Sequence, residues 1–243
     1  MIKAVIFDLD NTLYNFDEGS RIGAEAFADY CVRELGLDRE DAVSGWKEAL
    51  DEQWKRMTDD CPAVHNRVIR AQYFLSKRAI SEFPHAPRLA EAYWKGLMDT
   101  MLPEKGLIEL LTALKSRKVK IAVGTNMTSY VQFLKIEKLG LENYIDCMIS
   151  SEEAMAEKPT GEFFNYVMKK LGVKSEEAIF IGDSIKHDIE GAKGVGMRYA
   201  WYTAYASERD FARADSEGIV SRIASYADCL LHDGRICLGN VEL

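Results

Sequence analysis

The run Lys3-Ala-Val-Ile-Phe-Asp8 constrains the fold more than any other stretch of the chain. A short apolar segment with β-branched residues that stops abruptly at acids is the pattern of a strand buried on both faces. Four more apolar runs come late, at Val119–Val123, Ile145–Ile149, Ala178–Ile181 and Arg198–Tyr202, and each follows a helical segment. Strands that alternate with helices form βαβ units, and these build a parallel sheet. The expected core is an α/β domain with a doubly wound parallel sheet.

From about Ser20 to Met101 the apolar residues recur at helical spacing instead: Ile22, Phe27, Tyr30 and Cys31; then Val43, Trp46, Leu50, Trp54 and Met57; then Val68, Ile69, Tyr73 and Leu75; then Leu89, Tyr93 and Leu97. This predicts a bundle of roughly four helices. Pro62, Pro84, Pro87 and Pro103 fall between or beside these stretches, where a missing backbone donor costs little. The bundle therefore reads as an insertion, with residues 17–101 forming a helical domain and residues 1–16 and 102–243 forming the α/β domain.

At 243 residues the chain is long enough for both domains, and 47% hydrophobic with 29% charged residues is an ordinary globular composition. A net charge of -8 without a Lys/Arg cluster argues against nucleic-acid binding and favours cations. No apolar stretch suits a membrane span and residues 1–13 do not read as a signal peptide, so a cytoplasmic protein without membrane association is expected. The 5 cysteines are odd in number, widely spaced and without a Cys-x-x-Cys pair, which fits buried thiols rather than disulfides or zinc. His65, His85 and His232 lack ligand-like spacing, and His187 reads as a partly solvated helix residue.

Polar groups follow the predicted strands directly: Asp8 and Asp10 after the first, Thr125 after the second, Lys158 in the loop after the third and Asp183 after the fourth. In a doubly wound sheet the carboxyl ends of the strands share one edge, so these residues converge. Crowded carboxylates repel unless a cation neutralises them, and Mg²⁺ suits such oxygen ligands. Asp8 can then attack phosphorus as a nucleophile, and Asp10 can exchange protons as general acid/base. Thr125, Asn126 and Lys158 can donate to a phosphoryl group, and Lys158 also offsets the charge of Asp8. Each residue also has a plain structural reading: turn capping for the acids of Asp8-Leu-Asp10, an N-cap at Thr125 for a helix from Met127, a loop role for Lys158 before a helix at Gly161, and helix-start acids at Asp183 and Asp188.

Four segments, Phe7-Asp-Leu-Asp-Asn-Thr-Leu13, Gly124-Thr-Asn126, Glu157-Lys-Pro159 and Ile181-Gly-Asp-Ser-Ile-Lys-His-Asp-Ile-Glu-Gly-Ala192, resemble in order and spacing the motifs of the haloacid dehalogenase-like hydrolase superfamily. The resemblance spans residues 1–205 and implies a Rossmann-like core with a helical cap inserted between the first and second motifs. It implies Asp8 as nucleophile and metal ligand, Asp10 as acid/base and as metal ligand through its backbone carbonyl, and Asp183 as metal ligand. Thr125 and Lys158 would bind phosphate. Asp188 matches the last acid of the motif set, which orients metal waters or the lysine matched by Lys158, and its direct ligation of metal is left open.

The function expected is Mg²⁺-dependent hydrolysis of a small phosphomonoester, of nucleotide or sugar-phosphate type, with the cap closing over the substrate. Asp10 separates this from haloacid dehalogenation, where the halide needs no proton and the second acid is replaced. A phosphomutase of the same superfamily is the alternative. A phosphonate hydrolase would be expected to carry a cap lysine that forms an imine, and a phospho-accepting signalling receiver is a shorter chain without the insertion. A silent binding protein fits less well, since no motif is missing. For specificity, Tyr14, Asn15, Arg21, Arg67 and Arg70 are weighed as substrate contacts against a solvated-surface reading, and Trp46, Trp54, Tyr73, Tyr93 and Trp94 read as bundle core. The tail is expected to add a strand at Ile219–Ile223 and a helix at Tyr226–Leu231. The partner expected is a small molecule, with the protein a monomer or homodimer.

Overall fold

A computed structural model describes residues 1–57 and 61–243. They divide into two compact units, Phe16–Met101 and the pair of segments Met1–Asn15 and Leu102–Leu243.

The first of these units holds α1 (Phe16–Leu35), α2 (Arg39–Arg56), α3 (Arg67–Lys77) and α4 (His85–Asp99). Helix starts are capped by side chains: Asp38 accepts from the Glu40 and Asp41 amides, and Asn66 accepts from those of Val68 and Ile69. Phe27 anchors the core, with its ring 4.3 Å from Trp46 and 4.9 Å from Phe74. α1 and α4 approach closely through glycines, since a Cβ on Gly23 would lie 2.7 Å from the Tyr93 carbonyl oxygen. Two sequence expectations are corrected here. Trp54, read as core, is 44% exposed, because the buried stripe of α2 runs through Ala42, Gly45, Trp46, Ala49 and Gln53 and leaves Val43 and Trp54 outside it. Arg67 and Arg70, whose competing reading was solvated surface, are 7% and 5% exposed, because both lie on the same face of α3 as Ala71 and Phe74.

The second unit is built on a six-stranded parallel sheet, comprising β1 (Ala4–Phe7), β2 (Lys120–Thr125), β3 (Cys147–Ser150), β4 (Ala178–Gly182), β5 (Arg198–Tyr202) and β6 (Arg222–Ile223) in the order β3-β2-β1-β4-β5-β6. The helices between and after the strands are α5 (Leu107–Ser116), α6 (Ser129–Lys138), α7 (Ser151–Ala154), α8 (Gly161–Leu171), α9 (Glu190–Gly194) and α10 (Glu208–Ser216). This is the α/β, Rossmann-like arrangement expected. β1 is central and wholly buried, with Phe7 in register with Val123 of β2 on one side and Ile181 of β4 on the other. Because side chains alternate along a strand, Ala4 and Ile6 share one face with Ala122 and Phe180, where Phe163, Phe164, Val167 and Leu171 of α8 pack. Phe7 projects to the opposite face and meets the ring of Tyr226 at 6.0 Å.

Local differences from the sequence reading concern ends and tail. Thr125 closes β2 rather than capping a helix, and α6 begins later, at Ser129. In the tail the expected strand is β6, but the expected helix shrinks to one 3₁₀ turn, Tyr226–Cys229. Leu230 is already extended and bridges to Ile236, ahead of a small antiparallel pair, β7 (Cys237–Leu238) and β8 (Val241–Glu242). Tyr226 is fully buried, stacks on Tyr202 at 4.7 Å and donates its hydroxyl hydrogen to the Thr12 carbonyl at 3.0 Å. Among the described residues no helix is long and apolar enough to cross a membrane.

Candidate active site

Since β1, β2 and β4 are adjacent and parallel, their carboxyl ends bring Asp8, Thr125 and Asp183 to one edge of the sheet. The Asp8 amide donates to the Ile181 carbonyl at 2.8 Å, which carries the ladder one residue past β1 and fixes where the carboxylate begins. The chain then turns through Asn11, at φ 58°, with Leu9 accepting from the Thr12 and Leu13 amides. The turn returns the Thr12 hydroxyl to 3.4 Å from both Asp8 Oδ2 and Asp183 Oδ1.

Lys158 reaches the same place from the loop before α8. Its Nζ donates to Asp8 Oδ1 at 2.5 Å, to Asp188 Oδ1 at 2.7 Å and to the Gly124 carbonyl at 3.1 Å, which uses all three ammonium protons. Asp188 projects from the single π-helical turn Ile185–Ile189, and its Oδ2 accepts from the Ser184 amide at 2.9 Å. Gly182 makes this close return possible, because a Cβ there would lie 2.3 Å from Asp188 Oδ2.

Asp8, Asp183 and Asp188 each offer an oxygen within 4.8 Å of the others. Burial, with Asp188 and Asp10 adding to it, raises the Asp8 carboxyl to about 7 although Lys158 opposes the shift. Burial also raises Asp183 to about 8, with Asp8 and Asp188 contributing. Lys158 moves the other way from what burial alone would do: Asp188 and Asp8 hold its ammonium above the usual value. Three carboxylates thus share one ammonium, a surplus that a hard divalent cation with oxygen ligands would neutralise.

Asp10, two residues on, belongs to a different set of contacts. Its carboxylate accepts from Lys135 Nζ at 2.7 and 3.0 Å and from the Tyr14 hydroxyl at 2.6 Å. It is not part of the three-carboxylate cluster. The Thr125 hydroxyl accepts from Gln132 Nε2 at 2.7 Å, which leaves its own proton to give. The Asn126 carboxamide is turned to the Lys158 loop, with Oδ1 accepting from the Lys158 amide at 2.8 Å and Nδ2 donating to the Lys158 carbonyl at 3.0 Å. His187 lies half-buried with Nδ1 2.9 Å from that same carbonyl. Arg21 is exposed and paired with Glu18 and Glu25. Tyr14 is buried against Asp10 instead of facing outward.

The sequence reading missed Gln132 and Lys135, both fully buried on α6. Their one signal was phase: they share the buried face of α6 with Val131 and Ile136, where polar residues need a partner.

The haloacid dehalogenase-like hydrolase model matches residues 5–202. The chain is 32% identical to the ribulose-1,5-bisphosphate 5-phosphatase of Halopiger xanaduensis, over 93% of this chain and 95% of that one. It is 30% identical to a glyceraldehyde 3-phosphate phosphatase of Methanocaldococcus jannaschii, over 81% and 83% respectively. Among solved structures, a HAD phosphatase from Thermococcus onnurineus superposes with a TM-score of 0.66 at 26% identity, covering 85% of this chain and 89% of that one. The segments that build the carboxylate cluster lie inside the matched span, and the chain belongs to the haloacid dehalogenase-like hydrolase family.

Proposed function

We propose that the protein is a Mg²⁺-dependent phosphatase that removes a phosphoryl group from a small phosphorylated metabolite through a phosphoaspartate on Asp8. The observation that carries this reading is the cluster of Asp8, Asp183 and Asp188 around Lys158, with Asp10 held outside it by Lys135 and Tyr14. A dehalogenase has no use for a second acid, because a departing halide takes no proton, whereas a departing alkoxide does. The names of the two relatives, both phosphatases of small sugar phosphates, point the same way.

Asp8, Asp183 and the backbone carbonyl of Asp10 would hold the cation, with Asp188 beside them. When bound, Mg²⁺ supplies charge neutralisation for the phosphoryl oxygens. Asp8 Oδ attacks phosphorus and the bond to the ester oxygen breaks. Asp10 gives that oxygen its proton, then takes one from the water that hydrolyses the acyl phosphate, returning Asp8 and releasing inorganic phosphate. Lys135 and Tyr14 fix the direction of the Asp10 carboxylate throughout. Thr125, with its proton free, donates to the equatorial oxygens, and Lys158 joins it by turning one proton away from its present acceptors, Asp8, Asp188 and the Gly124 carbonyl. Asn126 contributes by bracing the Lys158 loop. The helical unit reads as the cap and the sheet unit as the catalytic domain.

The test is release of phosphate from a panel of phosphorylated metabolites with Mg²⁺ present. Turnover of at least one small phosphomonoester is expected, and a chain inert to all of them, including an aryl phosphate, would end the phosphatase reading. Isomerised product without net phosphate release would replace it with a mutase.

A further inference from the structure

Inside the helical unit two arginines are buried with no acid paired to them among the described residues. Arg67 and Arg70 stand one helical turn apart on α3 at 7% and 5% exposure. Arg67 Nη1 donates to the His65 carbonyl at 2.8 Å, and its Nε is sealed and has no hydrogen-bond partner. Arg70 Nε donates to Gln53 Oε1 at 3.1 Å. Among the described residues neither is ion-paired, and the terminal nitrogens of Arg70 make no hydrogen bond. Those nitrogens are not among the sealed, unpartnered atoms, so what exposure Arg70 keeps lies at the tip of its fork.

The surroundings are organised around these two groups. Arg67 lies 5.1 Å from the Tyr93 ring and 4.9 Å from the Trp94 ring, and Arg70 lies 5.1 Å from Trp46. Gln53 is itself buried, and its amide nitrogen donates to the Ala63 and Asn66 carbonyls, which aims its oxygen at Arg70. The Tyr93 hydroxyl is 2.8 Å from Ser20 Oγ. Burial would raise that phenol, yet Arg67, Ser20 and Arg70 hold it below its ordinary value. Burial, with Arg67 second, pulls the Arg70 guanidinium down. A guanidinium does not give up its proton in a protein, so the uncompensated charge is relieved by an anion instead.

We infer that Arg67 and Arg70 form an anion-binding site that takes a phosphate or carboxylate group of a small molecule. The Arg70 fork, with its terminal N–H groups free, suits a bidentate oxyanion, and Arg67 adds its charge one turn away. The anion has two possible sources: the second anionic group of a substrate, which rests on the phosphatase reading, or a separate small anion.

Tryptophan emission supplies the readout, because Trp46 and Trp94 touch the two guanidinium groups. Full-length protein carrying Asp8→Asn, so that nothing turns over, is titrated with inorganic phosphate, a sugar monophosphate and the matching sugar bisphosphate. If the source is the substrate, the bisphosphate binds roughly 10- to 100-fold more tightly than the monophosphate, and adding Arg70→Met erases that advantage. If the source is a separate anion, the two sugar phosphates bind alike. Inorganic phosphate then shifts the emission in a saturable way that Arg70→Met weakens roughly 10-fold or more. Equal responses from Arg70→Met, Arg67→Met and the parent to all three ligands would overturn the site. Arg70→Lys, which keeps the charge but loses the fork, should bind with intermediate strength and decides the matter if a methionine variant fails to fold. Binding is read without catalysis, so failure of the phosphatase reading in the panel assay is a separate result.

Discussion

Among the described residues four cations are buried, two in each unit, and their company differs. In the sheet unit Lys158 sits between Asp8 and Asp188, and Lys135 is paired with Asp10. In the helical unit Arg67 and Arg70 lie against aromatic rings and neutral acceptors, with no carboxylate paired to them among the described residues. A paired buried cation is a structural necessity for its partners, whereas an unpaired one costs stability until a ligand arrives. One unit therefore carries surplus negative charge around its lysine and the other carries surplus positive charge.

That contrast can be tested by substitution. The largest effect should come from Asp8→Asn, which keeps shape and removes the nucleophile: kcat should fall on the order of 10⁴-fold or more, measured as phosphate release. Lys158→Met should come next. It leaves Asp8 and Asp188 buried without their cation and should lower unfolding free energy by about 3–5 kcal/mol, seen in denaturant titration. Arg70→Met should not destabilise in this way, because it removes an unpaired charge and keeps the packing. If both methionine variants lose stability alike, the contrast between the units is wrong.

A third effect follows from the carboxyl shifts. In metal-free protein Asp8 and Asp183, at about 7 and about 8, bind protons that the unfolded chain releases near 4. The folded state then holds more protons, so stability should fall as pH rises from about 5 to about 8. Added Mg²⁺ should flatten that fall, because the ion takes the place of the protons. A thermal melt series with chelator and with Mg²⁺ checks this, and identical pH slopes would remove the metal from the cluster. The smallest effect expected is that of Lys135→Met, which frees the Asp10 carboxylate from one of its two anchors. It should lower kcat by roughly 10- to 100-fold with little change in KM.

The two charge centres also differ in how legible they were. Asp8, Thr125 and Asp183 can be placed from the sequence because each ends or follows a strand, and parallel strands put their carboxyl ends on one edge whatever the loops do. Lys158 was reachable by the same logic. Asn126 reads from the sequence as a donor to phosphate, and in the structure its carboxamide holds the Lys158 loop, a contact between residues far apart in the chain that no strand pattern encodes. Lys135 and Gln132 were invisible as partners, since a polar residue at a helical position looks the same whether it meets water or a buried carboxylate. The arginines were harder still. Their burial depends on α2 and α4 closing against α3, and helical periodicity names the apolar stripe without saying that a guanidinium lies on it. Trp54 erred in the opposite sense, because the stripe of α2 was set by small residues that carry little hydrophobic signal.

Tyr226 carries a consequence for where this domain can be said to stop. The family model ends at residue 202, yet a hydroxyl 24 positions later holds the Thr12 carbonyl in the turn that follows Asp8. A gene fragment trimmed to the family match would keep every motif residue and discard the ring that packs on Phe7 and Tyr202 beneath them. The family match marks the motif machinery, while the segment beyond it supplies part of the bench it is bolted to.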